Sequence, residues 1–98
     1  MKQAKMEYYN RKLAEIPADF LKECKDLIDR DFSEELKMEI RSQIDEKGLI
    51  NWALPHHFGW GMGVRNKFRS HNLLDHSLPS GNWDDYYVIV VEYALGYR

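Results

Sequence analysis

The sequence predicts an all-α single domain of four to five helices, and three observations carry that expectation. Apolar residues recur at steps of three and four, residues that start and stop helices bracket those runs, and 98 residues leave room for one core only. A hydrophobic fraction of 44%, with three Trp, six Tyr and four Phe, supplies enough apolar surface to build that core.

The elements follow in order. Met6, Tyr9, Leu13 and Ile16 form one apolar stripe at helical spacing. Pro17 suits the first turn of a second helix, in which Phe20, Cys24, Leu27 and Ile28 face inward while Lys22, Glu23, Lys25, Asp26 and Asp29 face water. Asp31, with Glu34 three residues on, reads as a capping box opening a third helix. Leu36, Ile40 and Ile44 continue that helix, and Gly48 after Lys47 suits a left-handed stop with a cation in the last turn. Leu49–Leu54 is a short apolar connector carrying Trp52, and Pro55 can open a fourth, central helix over about residues 56–70. A loop through Leu78-Pro79-Ser80-Gly81 follows. The last segment contains Tyr86–Val91, which has strand propensity throughout. Asn82, Asp84 and Asp85 before it and Gly96 after it are helix boundary residues, and its length favours a buried helix.

Charge narrows the function classes. A formal net charge of -2 and a pI near 6.1 argue against general nucleic-acid or anionic-lipid binding. The longest apolar run, Tyr86–Val91, is far short of the roughly 20 residues a membrane span needs. MKQAKMEYYNRK lacks the apolar stretch of a secretory signal, and a lone Cys24 fits a reducing compartment, so a cytoplasmic location is expected. Cys24 lies between apolar positions and reads as a small buried hydrophobe.

One segment departs from ordinary helix composition. In HHFGWGMGVRNKFRSH, Gly59, Gly61 and Gly63 each cost about 1 kcal/mol relative to Ala inside a helix. Gly59 and Gly63 lie one turn apart, a small-residue face suited to close helix approach. The same segment is basic: all four His lie between residues 55 and 76, together with Arg65, Lys67 and Arg69 and one acid, Asp75. An anion site for a ligand such as a nucleotide could use His57, Arg65 and Arg69, since guanidinium presents a fork to phosphate or carboxylate. The preferred account of Arg65 is the blander one, a buried ion-pair partner of Asp84 or Asp85. The glycine pattern is neither a P-loop nor a dinucleotide fingerprint, lacking the strand before it and the Lys-Ser/Thr after it.

His57-Phe58-Gly59-Trp60-Gly61-Met62, then Arg65-Asn66, then an acidic pair ahead of an apolar terminal segment, resembles a small bacterial or phage domain family with an HFGxGMxxRN-like core and no established activity. The resemblance covers roughly Pro55 to Tyr97 and implies helices for both segments. Phe68 to Ser80 departs from the Trp-rich run it implies there.

No catalytic constellation stands out. Ser70, Ser77 and Ser80 sit in no nucleophile-elbow pattern. An acid–base pair would draw on His57 or Glu92 with Asp84 or Asp85, and the two Asp are more simply helix-cap residues. His56 and His57 point about 100° apart on a helix, and His71, Asp75 and His76 match no known ligand spacing, so no metal or cofactor is expected. Trp, Tyr, Met and Arg are the residue types enriched at interface centres. The expectation is therefore a non-enzymatic inhibitor or adaptor working through protein contacts, with Trp60, Lys67 and Trp83 as candidate contact residues. The alternative is a binder of a small anion at His57, Arg65 and Arg69.

Overall fold

The computed structural model describes the backbone of residues 2–56 and 59–98, and within these the side chains of residues 7–55 and 59–98. Five α-helices appear among the described residues: α1 Lys2–Ala14, α2 Ala18–Asp31, α3 Glu34–Lys47, α4 Trp60–Ser70 and α5 Tyr87–Ala94. Three 3₁₀ turns at Asn51–His56, Asp75–Ser77 and Trp83–Asp85 connect them, and no strand occurs among the described residues. The Cα radius of gyration, 12.7 Å, is that of a tightly packed chain of this length, for which about 13 Å is usual. The buried apolar side chains form one contiguous cluster.

Most boundaries follow the expected chemistry, with three shifts. Gly48 ends α3 at φ 87° and Gly96 follows α5 at φ 92°, both in the left-handed region that glycine enters without a Cβ clash. The cap of α3 is Ser33, whose hydroxyl accepts from the Leu36 N–H at 3.1 Å; Asp31 is instead the last residue of α2. The Asp31–Glu34 capping box is thereby replaced by a Ser cap two residues later. Pro55 opens no α-helix: it lies inside the 3₁₀ turn Asn51–His56, and α4 begins only at Trp60.

The third shift concerns what lies at the centre. Helix α4 is shorter than the expected 56–70 and sits at the surface, with Met62, Gly63, Asn66 and Ser70 exposed. The middle of the molecule belongs to α5, which packs on α2, α1 and α4 and buries Tyr87, Ile89, Val90, Val91, Glu92 and Ala94. An eight-residue helix that is apolar nearly all round has no solvent face to offer, so its neighbours must enclose it.

Burying Glu92 inside that helix demands donors, and the fold supplies three. Glu92 is fully buried; one carboxylate oxygen accepts from the Ile50 N–H and the Trp52 indole N–H, each at 2.7 Å, and the other accepts from Arg98 Nε at 2.8 Å. Ile50 has φ 67°, a costly conformation for a β-branched residue, and the bond to Glu92 helps hold it there. Arg98 continues to Asn10 in α1, so a single carboxylate joins α5, the α3–3₁₀ connection, the C-terminal end and α1.

Candidate functional site

The segment singled out by composition folds into two faces of α4 with different fates. On one face the cations are committed. Arg65 is 5% exposed in its side chain; its Nε lies 2.8 Å from Asp84 Oδ1 and its guanidinium stands 4.8 Å from the centre of the Tyr87 ring. Arg69, one turn on, holds Asp75 with two bonds of 2.7 and 3.0 Å and reaches Asn66 Oδ1 at 2.9 Å. That fork, together with the Trp83 N–H, holds the Asp75 carboxyl down to about 2. The Asp84 and Asp85 side chains are not the cap of α5: Asp84 takes Arg65, and Asp85 accepts from the Ser80 hydroxyl. Of the three residues suggested for an anion, Arg65 and Arg69 are thus brought to one face and paired with carboxylates, and His57 lies outside the described residues.

Trp83, expected at a contact surface, is fully buried. It stacks on Phe68 at 4.3 Å and 10° and on Phe20 at 5.7 Å and 30°, and its indole N–H donates to the Leu73 carbonyl at 2.8 Å. An indole so enclosed on both faces is a packing element and offers nothing to a partner. Cys24 is equally enclosed, and burial pushes its thiol up to about 12, far from nucleophilic.

The opposite face of α4 is open. Trp60 is half-buried, its ring edge-on to the fully buried Trp52 at 5.4 Å and 60°. Between α3 and α4 run two adjoining hollows of about 140 and 240 Å³ that share Leu36 and Trp60. The first is lined also by Glu39, Ile40, Gln43 and Trp52, the second by Asp31, Phe32, Gly63, Val64 and Lys67. Together they form one groove with an aromatic and aliphatic floor. Trp60 and Lys67, both expected contact residues, line it. Gly63 stands exposed on its lip, and a Cβ there would meet nothing within 4 Å. The small-residue position expected to admit a neighbouring helix therefore has no such neighbour among the described residues.

Gln43 and Glu39 were missed by the sequence reading. Gln43 Nε2 donates to Glu39 Oε1 at 3.4 Å, leaving Gln43 Oε1 buried without a donor. No periodicity marks a buried amide oxygen in advance, because i, i+3, i+4 spacing reports only which face a residue occupies.

A third cavity, about 300 Å³, lies where α1, the Asn51–His56 turn and α5 meet, lined among others by Tyr8, Tyr9, Lys12, Asp84, Asp85 and Tyr87. Its charged groups are already engaged: Lys12 sits 4.8 Å over the Tyr86 ring, and the two Asp hold Arg65 and Ser80. Among the described residues no three His, Cys, Asp or Glu side chains converge as a metal ion would require. No helix among them is long and apolar enough to cross a membrane. Comparison of the chain with protein-family models, with curated proteins and with solved structures finds no match in any of the three.

Proposed function

We propose that this chain is a small non-catalytic binding protein, an inhibitor or adaptor, that takes a helix of a protein partner into the groove between α3 and α4. The single observation that carries the reading is the groove itself: an apolar trough floored by Trp52, Trp60, Leu36 and Val64 and bordered by an open glycine. Amphipathic helices dock in such troughs by laying an apolar stripe against the floor. Tryptophan flanked by aliphatic walls is the usual anchor of a protein interface. Gly63 adds room for a backbone to approach, at a cost in helix propensity that no packing within the described chain recovers. A small anion at the Arg face is less well supported, because it would have to displace Asp75 from Arg69 and Asp84 from Arg65.

The test is selection of helical peptides from a displayed library on the folded protein. Binders are expected to lose at least tenfold in affinity for Gly63→Trp, which fills the groove mouth from an open position, and for Trp60→Ala. Lys22→Ala, on the exposed side of α2, should leave them unchanged. Binders indifferent to Gly63→Trp would remove the reading.

A further inference from the structure

We infer that the helix accepted by this groove is basic along one flank; this rests on the docking reading above. The inference comes from how α3 distributes its charges. Glu35, Glu39 and Glu46 are spaced by four and seven residues, so they form one ridge, and all three are exposed. Glu39 lines the groove, and Glu35 and Glu46 continue its ridge along α3 without lining either hollow. Lys37 and Arg41 lie two residues either side of Glu39, about 160° round the helix at 3.6 residues per turn. They point away from the groove and are spent on the scaffold: Lys37 donates to the Asp29 carbonyl and Arg41 to the Leu95 carbonyl. Of the α3 residues that line the groove, Glu39 brings negative charge and none brings a cation.

The α4 wall does not compensate along the whole length. Among the described residues Lys67 is the one cation lining the hollows, and its field falls on Asp31 at the far end. The end near Glu39 and Gln43 has no cation lining it among the described residues. Lysine or arginine on the occupant fits this, since each brings positive charge to the exposed Glu39. From Leu36 to Gln43 the wall runs two helical turns, about 10 Å, so the occupant needs two or three apolar anchors with the basic positions beside them.

The experiment is a displayed library of helices with a fixed apolar i, i+3, i+4, i+7 stripe and with Glu, Gln and Lys mixed equally at the flanking positions. Selection on the wild-type protein, with the groove-blocked Gly63→Trp protein as counter-selection, should enrich Lys over Glu at least tenfold on one flank. The preference should fall to parity or invert on E35K/E39K/E46K, checked for an unchanged melting curve, and weaken as salt is raised. Groove-dependent helices with Glu and Lys equally represented would overturn the charge inference and leave the groove as a docking site. Helices that bind regardless of Gly63→Trp would overturn both the inference and the reading beneath it.

Discussion

Helix α4 carries two faces built from the same eleven residues, and they differ in what the fold has already done with them. The Arg65 and Arg69 face is closed: each guanidinium clasps a carboxylate from the chain that follows, so α4 and residues 71–86 are laced together. The Trp60 and Gly63 face is open, half-buried at best, with hollows beside it. Both faces looked functional in the sequence. The comparison teaches that charged, hydrogen-bond-rich residues are readily consumed by the scaffold of a small domain, because buried charge must be paired. A half-buried aromatic near a glycine whose Cβ position meets nothing within 4 Å is the feature left over.

The sharpest way to break that comparison is to truncate one tryptophan on each side. Trp83, sandwiched by Phe68 and Phe20 beneath the closed side, should cost about 3–5 kcal/mol on replacement by Ala. Trp60, partly open to solvent, should cost no more than about 1–2 kcal/mol by the same rule. Urea unfolding of the two variants decides it, and equal losses would mean that the Trp60 face is core.

The next effect is an asymmetry within one ion pair. Arg65 is 5% exposed in its side chain, whereas Asp84 is 45% exposed. Asp84→Ala removes the carboxylate from a buried guanidinium and should cost about 2–4 kcal/mol, below the range for a wholly buried pair because one partner is wet. Arg65→Met keeps the apolar stem against Tyr87 and leaves only a solvated carboxylate behind, so about 1–2 kcal/mol is expected. If Arg65→Met were the worse of the two while ligand screens with phosphate gave a thermal shift, the Arg face would regain its claim as a site.

How far the sequence could see follows from the same physics. Helical periodicity and glycine stops placed α1, α2, α3 and α5 to within a few residues, because those signals are local. The Arg65 pairing with an acid at 84 or 85 was legible because a helical Arg beside apolar positions needs a partner, and few acids remain in the second half. The position of α4 was not legible, since a glycine-rich amphipathic helix reads alike whether neighbours enclose it or solvent does. Nor was the role of Glu92, whose three donors come from residues 50, 52 and 98, brought together only by tertiary packing. Of the residues expected at a contact surface, Trp60 and Lys67 line the groove and Trp83 is buried packing, while the α3 wall with Gln43 came only from the assembled groove.

A milder probe of the closed face uses acid. The folded Asp75 carboxyl sits at about 2, below its ordinary value of 3.8, chiefly through the Arg69 fork. A depressed folded value stabilises the native state above the unfolded value and is lost as pH falls through the folded one. The stability advantage of wild type over Asp75→Asn should therefore be steady above about pH 5 and shrink between pH 4 and pH 2. Urea midpoints measured down that range check it, and a gap that stays constant to pH 2 would show that Arg69 does not act through the charge of Asp75.

The smallest effect bears most directly on the open face. Gly63 lies inside α4, its Cβ position is clear for 4 Å, and its φ does not fall in the left-handed region. Alanine there should stabilise the protein by about 0.5–1 kcal/mol, the difference in helix propensity alone. A core glycine would give the opposite sign, because an added methyl would need room taken from a neighbour. A gain in melting temperature for Gly63→Ala, together with weaker capture of groove-binding helices, would mean that the position trades stability for access. Stabilisation without any loss of binding would leave the glycine unexplained and shift the weight of the docking surface onto Trp60 and Glu39.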